Sequence, residues 1–172
     1  MQARKPPRGP DMRMLEKCFD DLKVGDVEIT QRRTVTETDV TMWCMFTGDW
    51  FPIHCDVLYA EASVFKQRVA PGVMIFAMAG GLAVPPQTQT VIANYGSERI
   101  RYPKPTFFGD TIHVVATVEK LQPRDAGSGI ADIRWDVKKQ DGNSVCVVIM
   151  RIWIKTRSAM ALESRSSGEA SP

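Results

Sequence analysis

The chain has 172 residues, 44% of them hydrophobic and 24% charged, with a formal net charge of +2. That length suits one compact domain with a substantial core and leaves little room for a second. The small charge excludes an electrostatic nucleic-acid binder, so an anionic partner must be held locally.

The four cysteines, Cys18, Cys44, Cys55 and Cys146, show no CxxC spacing and no dense framework, as expected in a reducing cytoplasm. The N-terminus is basic but lacks the apolar stretch of a secretory signal. The longest apolar run, residues 73–84, falls well short of a membrane span. A soluble cytoplasmic protein with no membrane contact is expected.

Residues 1–13 are rich in Pro, Arg and Lys, and residues 158–172 are small and polar. Neither end carries much core-forming material, so both read as disordered tails around an ordered domain at 14–157. Within it, "GDVEITQRRTV" (25–35) alternates loosely after a glycine and predicts one strand. Thr36 can cap a following helix whose first turn carries Glu37 and Asp39. Val40, Trp43, Cys44 and Thr47 share one stripe of that helix, and Gly48 can end it.

A weaker helical pattern follows Pro52. Between the two helices, "FTGDWFPIHCD" (46–56) reads as a loop stiffened by Pro52, from which Asp49 and His54 can face one cavity. Residues 73–84 are apolar on all sides and stop at Pro85 and Pro86, which predicts a helix buried all round. Four strand patterns close the domain: "QTVIANYGSERIRY", "DTIHVVATVEKLQ", "GIADIRWDVKKQ" and "SVCVVIMRIWIKT". The turn signals between them are "KPTFFGD", "PRDAGSG" and "QDGN". One strand, then helices, then four antiparallel strands is an α+β pattern, with one sheet curled about one buried helix.

A carboxylate and an imidazole that share one water suit acid/base chemistry, because histidine titrates near neutral pH and aspartate can orient or accept the proton. Spacing alone also allows Asp49 to cap the next helix and His54 to be a half-buried surface histidine. Cys55 is adjacent to His54 in sequence, but neighbouring side chains in an extended segment project apart, which argues against a thiol nucleophile. No metal site is expected, since the other histidine, His113, lies in a predicted strand far along the chain.

The stretch from "RRTVTETDV" through "MFTGDWFPIHCD" to "RVAPGVMIFAMAGGL" closely resembles the MaoC-like acyl dehydratases, the (R)-specific enoyl-CoA hydratases of the hotdog fold. That family carries a TGDxNPxH segment followed by an RVxHG turn into a central helix. "RYPKPTFFGDTIHV" is similar to a further family segment, so the resemblance spans roughly residues 19–154. It implies a hotdog fold, a curved antiparallel sheet wrapped around a central buried helix. It implies a hydro-lyase that adds water reversibly to a trans-2-enoyl-CoA, giving an (R)-3-hydroxyacyl-CoA.

By that resemblance Asp49 and His54 match the catalytic pair, and Gly72 matches the donor to the thioester oxygen at a helix start. Phe51 stands where the family often has Asn, and Pro71 where it has His. Arg99, Arg101 and Lys104 near the "YPKP" turn are candidates for the coenzyme A phosphates. Coenzyme A is part of the substrate, so no cofactor is expected. A homodimer or higher homo-oligomer is implied. The alternatives are a hotdog acyl-CoA thioesterase, in which the carboxylate directs water at the carbonyl, and a non-catalytic acyl-thioester-binding subunit.

Overall fold

The computed structural model describes residues 12–168. Period-two burial organises its second half. In β4 (Thr111–Asp125), Ile112, Val114, Ala116 and Val118 point inward while the residues between them are partly exposed. β5 (Ser128–Lys139) and β6 (Ser144–Lys155) send in Ile133, Trp135 and Val137, and Val148, Met150 and Ile152. A sheet with one apolar face must cover that face. Here α4 (Gly72–Ala83) does so with Ile75, Met78, Ala79 and Leu82.

The other strands are β1 (Val27–Ile29), β2 (Arg33–Thr34) and β3 (Val91–Arg101). The antiparallel sheet runs β1-β4-β5-β6-β3, with β2 also paired to β4. This is the curled sheet around a central helix that the sequence led us to expect.

Several local expectations need correction. The strand expected at 25–35 is two short strands: Ile29 lies opposite Val115 and Arg33 opposite Ile112, so the first strand uses one residue more than its partner. Thr30 bridges the break, its hydroxyl accepting from Val114 N–H at 3.0 Å. The turn expected at "PRDAGSG" shrinks to Ala126 and Gly127, because β4 and β5 continue into it. Asp125 Oδ1 closes that turn by accepting from Gly127 N–H and the Ser128 hydroxyl.

α4 is not buried all round. Val73 is 56% exposed, and Ala77 and Gly81 lie on the same open side. In the single chain only one face of the helix meets the sheet.

The tails also differ from expectation. α5 (Arg157–Gly168) occupies most of the segment read as a C-terminal tail. Thr156 Oγ1 accepts from Ala159 N–H, Lys155 pairs with Glu163 at 2.7 Å, and Arg157 N–H donates to Asp20. The first two are local, and the third comes from a distant part of the chain; together they supply what composition lacked. At the other end Arg13 is anchored, pairing with Glu28 at 2.9 Å. Residues 1–11 and 169–172 lie outside the described residues.

Candidate active site

α1 (Glu37–Thr47) forms where its caps put it. Thr36 Oγ1 accepts from Asp39 N–H and Asp39 reaches back to Thr36 N–H, a reciprocal capping box. Gly48 ends the helix at φ 76°, a left-handed conformation that costs glycine little. The chain therefore leaves α1 at Asp49, whose N–H donates to Thr47 Oγ1 at 3.2 Å.

The Asp49 carboxylate is half-buried and accepts no hydrogen bond among the described residues. It caps nothing, since the residue ahead of the next helix is Phe51. Its charge reaches Cys44, whose thiol is pushed up first by burial and then by Asp49.

His54 does not lie in a loop. Pro52 opens α2 (Pro52–Cys55), because its fixed φ suits a first helical turn, and His54 sits inside that helix. Asp56 then breaks the chain in an extended conformation and caps α3 (Val57–Ala62), accepting from Tyr59 N–H at 3.0 Å. The one helix expected after Pro52 is thus two.

The ring of His54 is oriented by the backbone. Nδ1 lies 2.7 Å from the Val69 carbonyl oxygen. A carbonyl only accepts, so Nδ1 carries the proton and Nε2 of the neutral ring is left bare. Cys55 turns elsewhere, its sulfur facing the Trp50 and Phe51 carbonyls, so it forms no thiol–imidazole pair. Phe51 packs edge-on against the His54 ring, with centroids 6.0 Å apart. The residue that replaces the family's amide is therefore an apolar wall beside the imidazole.

Val69 also ties this segment to α4. Its N–H donates to Ile53 O, Ala70 N–H donates to Thr106 O, and Pro71 follows as the residue before the helix. Three residues, at most about 10 Å of chain, separate the carbonyl that holds His54 from Gly72. Ile75 N–H is the first helix donor with a partner, Pro71 O at 3.2 Å, so the N–H groups of Gly72, Val73 and Met74 have no backbone partner among the described residues. Asp49 and His54 make no direct hydrogen bond to each other.

A glycine at 72 lets a carbonyl approach the helix start closely, and its neighbours give a second reason for the residue. A Cβ there would meet the Tyr102 ring at 2.9 Å. Tyr102 was missed by sequence reasoning, although it stands in the quoted "RYPKP" segment. Burial, with the Cys146 thiol nearby, pushes its phenol above the usual range, so it stays an O–H donor. Gly72→Ala is expected to lower stability by about 1–3 kcal/mol through overpacking, read by thermal melting. A neutral result would mean that the Tyr102 ring yields freely.

Arg99, Arg101 and Lys104 flank Tyr102. All three are exposed and none forms an ion pair among the described residues. Arg99 adopts φ 56° at an irregularity in the β3–β6 pairing, which re-aims its side chain. His113 faces out from β4 with Nδ1 buried and unpartnered, remote in role from His54.

The model of the MaoC like domain matches residues 23–137. The chain belongs to that family. It is 39% identical over 104 residues to Protein MaoC of Klebsiella aerogenes, covering 60% of this chain but only 31% of that protein. It thus spans about a third of that relative's length. It is 31% identical over 118 residues to the 3-hydroxybutyryl-CoA dehydratase of Methylorubrum extorquens, covering 66% of this chain and 70% of the relative.

Among solved structures, an Archaeoglobus protein described as a monoamine oxidase regulatory protein superposes with a TM-score of 0.77 at 31% identity. That alignment covers 81% of this chain and 95% of the other. A Mycobacterium tuberculosis protein with a double hotdog fold matches with a TM-score of 0.71 at 22% identity, covering 84% of this chain and 46% of the other. This MaoC-like domain therefore has the hotdog fold.

Proposed function

We propose that this MaoC-like domain is a hydro-lyase that adds water to a trans-2-enoyl-CoA, giving an (R)-3-hydroxyacyl-CoA, and that it also runs the reverse dehydration. The observation that carries this reading is the His54 Nδ1 bond to Val69 O. It leaves Nε2 bare five residues after a carboxylate with no partner among the described residues, and the carbonyl that orients the ring stands three residues before the N-terminus of α4.

Water has two O–H donors, and Nε2 and the Asp49 carboxylate are both acceptors. One water bridging them keeps a lone pair free to attack the β carbon. The pair takes one proton as the C–O bond forms, and a proton is delivered to the α carbon. Negative charge develops on the thioester oxygen, where the N–H groups of Gly72, Val73 and Met74 and the positive end of α4 can meet it. Arg99, Arg101 and Lys104 are assigned to the coenzyme A phosphates, being free cations beside Tyr102 and hence beside Gly72.

The functional unit we propose is a homodimer. Phe46 in α1, Leu58 in α3 and Val64 just after α3 are 88%, 77% and 87% exposed, large apolar side chains that a second copy would cover. β3 ends the sheet and offers an edge for pairing. The four cysteines are free thiols, in keeping with a reducing cytoplasm.

The test is loss of enoyl-thioester absorbance with crotonyl-CoA and octenoyl-CoA, with the configuration of the product determined. Release of coenzyme A thiol from saturated acyl-CoA would replace this reading with the thioesterase one.

A further inference from the structure

Beside α4 lies an apolar cavity of about 300 Å³ that includes neither Asp49 nor His54. It is lined by Ala77 of α4 and, along one ridge, by Phe76 and Gly80 of the helix and Val84 at its C-cap. The ridge continues the row that starts at Gly72, at i+4, i+8 and i+12. β3 runs past the helix in the opposite sense: Tyr102 sits on Gly72, while Val91 and Asn94 line the far part of the cavity. The cavity thus begins at Phe76, about 6 Å along the helix from the N–H groups at its start, and extends to its far end.

Three lining residues fall outside the family match, Met150 and Ile152 on β6 and, ahead of the match, Leu15, which is 2% exposed. Leu15 is locked in place. Arg13 donates to the carbonyls of Leu82 and Ala83 at the C-terminus of α4 and pairs with Glu28. Met14 N–H donates to Glu28 at 2.6 Å, and the Leu15 carbonyl accepts from the hydroxyls of Thr88 and Thr90. Asn94, the polar side chain in the lining, has its Oδ1 engaged by Gly96 N–H.

We propose that Leu15 is a specificity-determining residue, the end wall of an acyl-chain pocket that selects medium-chain thioesters. This rests on the hydro-lyase reading for the place of the thioester. With the carbonyl at the α4 N-terminus, a crotonyl chain ends before the cavity and leaves it empty. A medium chain fills it, and a long chain meets Leu15 and the latch behind it. Such an apolar lining favours hydrocarbon over any polar acyl group.

The experiment compares wild type, Leu15→Ala and Leu15→Phe on crotonyl-, octenoyl- and dodecenoyl-CoA, with calorimetric Kd values for butyryl-, octanoyl- and dodecanoyl-CoA. Wild type is expected to prefer the octenoyl chain. Leu15→Ala should raise the dodecenoyl-to-octenoyl ratio of kcat/KM by about tenfold, the gain from burying roughly two more methylene groups. Leu15→Phe should lower the octenoyl-to-crotonyl ratio by about as much. Ratios cancel the folded fraction, so lost stability alone does not move them.

Ratios unchanged in both variants overturn the proposal. If nothing is hydrated but the Kd series still shifts with Leu15, the hydro-lyase reading fails and the assignment of Leu15 stands. If no acyl-CoA binds, both fail.

Discussion

Asp49→Asn and His54→Asn should each lower kcat for enoyl-CoA hydration by about 1,000-fold while the protein stays folded. The two substitutions separate chemistry from architecture. The Asp49 carboxylate holds no other group among the described residues, so the amide removes a proton acceptor and little else. At position 54 an asparagine amide can place an N–H near the site of Nδ1 and keep the bond to Val69 O, but it has no counterpart to Nε2. Stopped assays on crotonyl-CoA and octenoyl-CoA, with melting curves alongside, decide the matter. Activity within a few-fold of wild type in either variant would make that residue structural and remove the basis of the proposed mechanism.

Asp110→Ala should be the most damaging single change to stability, at about 3–5 kcal/mol. Asp110 is 8% exposed, and its carboxylate accepts from Phe107 N–H at 2.8 Å, Lys139 Nζ at 3.0 Å and Gln140 Nε2 at 2.8 Å. Its backbone pairs with Val35 and Phe107, so one residue ties the "KPTFFGD" turn to β5 and to the entry of α1. Removing the carboxylate leaves the Lys139 ammonium, also 8% exposed, with Asp141 at 3.9 Å and the Phe107 ring centroid at 5.3 Å.

The expected drop in Tm is roughly 10 °C. The double variant Asp110→Leu/Lys139→Met should recover a large part of it, because an apolar pair of similar size leaves no charge buried alone. If the single variant melts like wild type, the pair is not the clasp described here. If the double variant is no better than the single, the backbone contacts of the turn carry the stability instead.

Much of the architecture is legible in short windows of the chain because its causes are local. The capping box at Thr36 and Asp39, the left-handed glycine at 48 and the period-two burial of β4, β5 and β6 depend on residues a few positions apart. Asp49 and His54 stood out because their spacing and the proline between them sit in one segment. What failed was mostly where distant residues intervene: Thr30 pairing across to Val114 splits a strand, and contacts from Asp20 help to hold α5 in what composition reads as a tail.

By itself, then, the sequence determined the class of fold, the order of its longer elements from α1 to β6, the family and the candidate acid/base pair. Only the tertiary structure decided which nitrogen of His54 is free, because the carbonyl that settles it belongs to Val69, fifteen residues on. It alone revealed that Gly72 makes room for Tyr102 and that Leu15 closes a cavity beside α4. Those contacts join segments far apart in the chain, and no periodicity or local spacing encodes them.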